Sequence, residues 1–139
     1  MIDTFPVERR GELWSGVGLA STYAGGVDRE ALLYLLSRAG AYRPELAQGA
    51  AFAAEARVLA GNPTPDTESA CRAYWGLSAA EAAQLTRELE RDLPFEGESP
   101  DAPRPAYETW RRKLQRHWVE HHAASVLGTS EGAARRASA

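Results

Sequence analysis

Gln48, Phe52 and Glu55 follow one another at spacings of four and three, which places an amide, a ring and a carboxyl on one face of a helix. The neighbours are small and apolar (Ala50, Ala51, Ala53, Ala54), so a carboxyl there is a candidate general acid or base, because burial disfavours its charged form. Glu68 stands one turn before Arg72 and offers the same choice between a proton-transfer group and half of a helix ion pair. For both carboxylates the structural role is the more ordinary one. A supply of rings (Trp14, Tyr23, Phe52, Tyr74, Trp75) suits an apolar ligand and suits a core equally well. Tyr23, Gln48, Phe52, Glu55 and Glu68 are therefore the ligand-binding candidates, and no catalytic set is complete.

Other patterns point less far. His117 and His121 lie four apart, a workable spacing for two metal ligands, yet His122 is the sole other histidine. Glu120 does not stand where the helix of a zinc protease needs it, so these residues read as a helix surface. Neither a metal nor a cofactor is expected. Arg111, Arg112, Lys113 and Arg116 beside Trp110 and Trp118 combine the types that bind phosphates and stack on bases. With 16 basic against 19 acidic residues the chain has no field to attract nucleic acid or an anionic bilayer. Glu108, four residues before Arg112, turns the cluster into a charged outer face through a helix ion pair. Cys71 is the single cysteine, which excludes an internal disulfide, and inside a helical pattern it reads as a buried structural thiol.

Helices must carry all of these residues. Pro6 opens the first, where Leu13, Val17, Ala20 and Ala24 recur at helical spacing. A second stripe on the same segment is small: Gly11, Ser15, Gly18, Thr22 and Gly25. The stretch Trp14-Ser15-Gly16-Val17-Gly18 lacks the preceding strand of a phosphate-binding loop, so its glycines serve helix packing. Asp28 caps a second helix with Leu32, Leu35, Leu36 and Ala39 on its buried face. Pro44 opens a third, reaching about Ala60, in which Gly49, Ala53, Ala56 and Ala60 form a matching small stripe. Two such stripes predict close contact between the first and third helices.

Thr64-Pro65 starts a fourth helix through Trp75, and Ser78-Ala79-Ala80-Glu81 is a capping box for a fifth that Pro94 stops. Residues 96–105 read as a loop, and a last helix from about Ala106 to Leu127 carries Tyr107, Trp110, Leu114 and Trp118 as its stripe. The expectation is an all-α fold of about six helices, arranged as stacked hairpins (tetratricopeptide-like in outline) or as an irregular bundle. A single domain over 1–127 and a frayed tail over 128–139 complete it. No secretory signal or membrane span is visible, so a cytoplasmic protein is expected.

Three stretches carry a family resemblance. They are Arg10-Gly11-Glu12-Leu13-Trp14-Ser15-Gly16-Val17-Gly18-Leu19-Ala20 with Tyr23-Ala24-Gly25-Gly26, then Tyr42-Arg43-Pro44 with Leu46-Ala47-Gln48-Gly49-Ala50-Ala51-Phe52-Ala53-Ala54, and Gly61-Asn62 with Thr67-Glu68 and Ala70-Cys71. Together they resemble the C-terminal half of DUF1702, a bacterial family of unknown function. Its members accompany the iterative polyketide synthase cassette that makes enediyne cores. The resemblance implies an accessory role in enediyne or polyketide biosynthesis, either binding an apolar polyene intermediate or docking to pathway proteins. Members are typically longer, which implies as possible partners the pathway's synthase proteins or an N-terminal half on another chain. The alternative is a helical adaptor with no small-molecule site.

Overall fold

The computed structural model of the chain describes residues 2–91, 93 and 107–122. Among them regular structure is helical throughout: α1 (Val7–Tyr23), α2 (Arg29–Ala39), α3 (Arg43–Leu59), α4 (Pro65–Trp75), α5 (Ala79–Arg91) and, over residues 107–122, α6. Short 3₁₀ turns at Ile2–Thr4 and Gly40–Tyr42 precede α1 and join α2 to α3. The expected loop at 96–105, the last turn of the final helix and the tail 128–139 lie outside the described residues. No helix among those described is long and apolar enough to cross a membrane.

Local chemistry sets the helix ends. The Asp28 carboxylate accepts from the Ala31 N–H at 2.8 Å, and the Thr64 hydroxyl accepts from the Thr67 N–H at 3.2 Å. The capping box closes reciprocally: Ser78 Oγ accepts from the Glu81 N–H at 3.1 Å, and Glu81 Oε1 accepts from the Ser78 N–H at 3.0 Å. Those hydrogen bonds hold the Glu81 carboxyl below its usual range, so it stays ionised. Gly76 ends α4 at φ 68°, a left-handed conformation that glycine takes without a side-chain penalty.

The organising contact is between α1 and α3. A Cβ placed on Gly18 would lie 1.9 Å from the Leu46 carbonyl oxygen, and one on Gly49 would lie 1.9 Å from the Ser15 carbonyl oxygen. Backbone meets backbone on both sides. Partners rise together along the two chains, from Gly11 beside Glu45 to Tyr23 beside Arg57, so the helices run parallel. This approach decides which stripe of α1 is buried. Trp14, Gly18, Ser21 and Thr22 face inward, while Leu13 and Val17 are half-buried and Ala20 and Ala24 are exposed. The apolar stripe is thus secondary, because small residues permit a closeness that leucine and valine forbid. The stripe on α3 is buried at Gly49 and Ala53, but Ala56 and Ala60 reach solvent beyond the contact.

α3 also packs on α4 and α5, and α2 packs on α4. α1 and α2, consecutive in sequence, share no substantial contact. Of the two expected arrangements, this is the irregular bundle. Leu32, Leu46, Tyr74 and Leu114 meet in its core, and Ala54, Cys71, Ala79 and Ala82 fill a smaller cluster between α3, α4 and α5. Three indoles fasten the helices. Trp75 donates to the Ala47 carbonyl at 2.7 Å, Trp110 to Thr86 at 2.8 Å, and Trp118 to Tyr74 at 2.8 Å. Each ring enters apolar surroundings with its polar edge satisfied.

Candidate functional site

None of the five candidates of the sequence reading lines the cleft described below. Gln48 is fully buried where α1, α3 and α6 meet. Its Oε1 accepts from Ser15 Oγ at 3.0 Å, Arg111 Nε at 3.2 Å and Gln115 Nε2 at 3.3 Å. Its Nε2 has no partner among the described residues, and neither has Glu45 Oε2 one turn earlier. Burial raises the Glu45 pKa, opposed by a hydrogen bond from its own backbone and by the Arg111 charge. Phe52 packs its ring on Trp110 and Tyr107, with centroids 4.6 and 5.7 Å apart. Tyr23 is exposed, its ring 4.0 Å beneath the Arg57 guanidinium, which also donates to its carbonyl.

The two candidate acids have separate surroundings. Glu68 Oε2 accepts from the Ala79 N–H at 3.0 Å, satisfying a free amide at the start of α5, and Oε1 lies 3.6 Å from Arg72 Nε. Glu55 is 9% exposed and feels Glu90 and Arg87 of α5. Burial, then the Glu90 charge, raises its pKa, and Arg87 opposes them. A carboxyl with a raised folded-state pKa keeps its proton to higher pH when folded, so stability falls as pH rises through the carboxylate range towards that pKa. Glu55→Gln is therefore expected to match the parent near about pH 4 and to be the more stable protein near about pH 7. Urea midpoints at both pH values check this; a variant less stable at neutral pH contradicts it.

The basic cluster of α6 is turned partly inward. Arg111 has an 11% exposed side chain and pairs with Glu108 at 2.9 Å. The expected Glu108–Arg112 pair is replaced by this shorter-spaced one, because Gln48 draws Arg111 under the helix. Trp110 and Trp118 are half-buried with their indole donors engaged. Cys71 is fully buried and its thiol is pushed up to about 12, chiefly by burial, which makes it inert near neutrality.

A cleft of about 350 Å³ opens elsewhere, between the end of α4, the outer face of α5, and α6. Leu77 and Leu85 give it an apolar floor. Glu81, Gln84 and Glu88 line one edge, at spacings that share a helix face with Leu85. The opposite wall is a run of rings. His117 and His121 stack with centroids 4.0 Å apart, His122 stacks on Trp118 at 4.3 Å, and Trp75 lies 6.4 and 6.3 Å from His117 and His122.

The tautomers follow from the hydrogen bonds. His121 Nδ1 lies 2.9 Å from the His117 carbonyl and His122 Nδ1 lies 2.9 Å from the Trp118 carbonyl. A carbonyl only accepts, so each ring carries a proton on Nδ1, and the neutral tautomer that fits leaves Nε2 as an acceptor. Burial, then the neighbouring His121, lowers the His117 pKa, against the pull of Glu120 and Glu88. Among the described residues no three His, Cys, Asp or Glu side chains stand close enough to hold a metal ion. The His117/His121 spacing is visible in the sequence, and so is Trp75. Their meeting with the Glu81–Glu88 face is tertiary, and each helix alone looks like an ordinary solvated surface.

An irregular helical bundle with a ring-walled cleft and no complete catalytic set among its described residues is the class that the fold and site define. The chain belongs to the DUF1702 family, proteins of unknown function, whose family model matches residues 1–118. No curated protein and no solved structure matches it.

Proposed function

We propose that this protein is an accessory factor of enediyne or related polyketide biosynthesis that holds an apolar, conjugated intermediate in the cleft between α4, α5 and α6. The pathway rests on the company that members of this family keep. The ligand rests on one observation, the continuous ring wall of Trp75, His117, His121 and His122 facing Leu77 and Leu85. Flat π surfaces over an apolar floor suit a conjugated chain, and the volume falls within the roughly 300–1,000 Å³ of small-molecule pockets. Tyr23, Gln48, Phe52, Glu55 and Glu68 then support the scaffold and do not touch the ligand. The protein works in the cytoplasm, beside the synthase proteins that release the intermediate or an N-terminal half carried by another chain.

Retinol, an uncharged conjugated polyene, is a convenient probe. It is expected to quench the emission of Trp75 saturably, and Leu85→Glu to weaken binding about tenfold or more by placing a charge on the apolar floor. A non-saturable response, or equal affinity in the variant, would remove the cleft from consideration.

The adaptor alternative lacks a comparable observation. Exposed apolar side chains do occur, Leu19 and Tyr23 on α1, Leu33 and Tyr34 on α2 and Leu59 on α3, but they do not identify a partner as the ring wall identifies a ligand class.

A further inference from the structure

The polar rim of the cleft carries negative charge and more acceptors than donors. Glu81 and Glu88 stand on it as carboxylates, each committing Oε1 locally, to the Ser78 N–H at 3.0 Å and to Gln84 Nε2 at 2.9 Å. Their Oε2 atoms are uncommitted among the described residues. His121 and His122 face the same space with their Nδ1 protons spent on helix carbonyls. No lysine or arginine lines the cleft among the described residues. Arg72 acts on Glu81 from outside it.

Resting on the reading of the cleft as a polyene site, we infer that it selects ligands whose polar end is a hydrogen-bond donor, an alcohol or an amine, and rejects a carboxylate end group. A hydroxyl or ammonium hydrogen meets carboxylate oxygens and imidazole lone pairs, which charge-assisted bonding favours. A carboxylate meets two like charges, with only neutral donors, the Gln84 amide and one His117 ring N–H, to set against them. His117 adds a neutral N–H but no positive charge near pH 7, since its pKa is lowered, so it offsets neither carboxylate. Both carboxylates are solvent-exposed, so the discrimination is moderate and salt-sensitive.

Retinol, retinylamine and retinoate share one conjugated chain and differ in end group. Fluorescence titration at neutral pH and low salt is expected to rank retinylamine and retinol about tenfold or more above retinoate. Glu88→Gln with Glu81→Gln, which keeps the capping acceptor, is expected to narrow that gap about threefold or more, as added salt does. Helical content by circular dichroism verifies that the double variant is folded. Retinoate binding as tightly as retinol, or a gap indifferent to both substitutions, overturns the inference and leaves the polyene site standing. If none of the three ligands binds the parent, the site itself falls and the inference with it.

Discussion

Alanine at Gly18 or at Gly49 is expected to destabilise the protein by about 3 kcal/mol, whereas alanine at Gly16, two residues away, is expected to stabilise it by roughly 0.5–1 kcal/mol. All three glycines lie inside helices, so the backbone benefit of alanine is the same at each. What differs is the space. At Gly16 nothing stands within 4 Å of an added Cβ. At Gly18 the new atom lies 1.9 Å from the Leu46 oxygen and 2.8 Å from its carbonyl carbon; at Gly49 it lies 1.9 Å from the Ser15 oxygen and 2.9 Å from the Leu19 nitrogen. These are main-chain atoms of the partner helix, so no side chain can rotate away. α1 and α3 must separate, and Trp14, Leu46 and Ala50 lose contacts with them. Gly11, whose nearest contact is Glu45 Cγ at 3.5 Å, tolerates alanine. Denaturant midpoints for the four alanine variants give the comparison. Gly18→Ala as stable as Gly16→Ala would show that the helices do not touch backbone to backbone.

The same contact illustrates what a single sequence can reveal. Spacing alone predicted that the first and third helices meet through small residues, because side-chain size and helical period are both written locally. Caps were legible for the same reason: Asp28, Thr64 and the Ser78–Glu81 box each act on an amide within three residues. Two stripes on α1 competed for the core, however, and periodicity could not rank them, since the winner depends on how closely α3 can come. The acid at Glu68 was ambiguous because its chief partner, the Ala79 amide, belongs to the next helix. The cleft was invisible for a stronger reason. Its walls come from three helices, and nothing in the faces of α5 and α6 taken singly distinguishes them from solvated surface.

Replacing Gln48 by leucine is expected to cost about 2–3 kcal/mol and to loosen α6 in particular, through the donors left behind. Leucine is apolar and of broadly similar bulk, so the largest change is in polar satisfaction. Ser15, Arg111 and Gln115 all donate to the one Oε1, and Arg111 does so with only 11% of its side chain exposed. Ser15 is on α1, but Arg111 and Gln115 both belong to α6, so that helix loses two anchors at once. Glu108 still holds Arg111 through its Nη1 at 2.9 Å, which limits the loss. Glutamate at this position keeps acceptor oxygens facing the three donors and removes the partnerless amide. The Glu45 carboxyl one turn away, itself with a raised pKa, disfavours a second charge there. Gln48→Glu should therefore fall between the parent and Gln48→Leu in stability.

The effect reaches the cleft, because α6 also supplies His117, His121 and His122. Retinol affinity should drop in Gln48→Leu although Gln48 does not line the cleft. Hydrogen exchange should accelerate over 107–122 more than over α1 or α3. Uniform acceleration across all the helices, or an unchanged urea midpoint, would mean that the buried amide does not anchor α6 and that the cleft wall is held by its tryptophans alone.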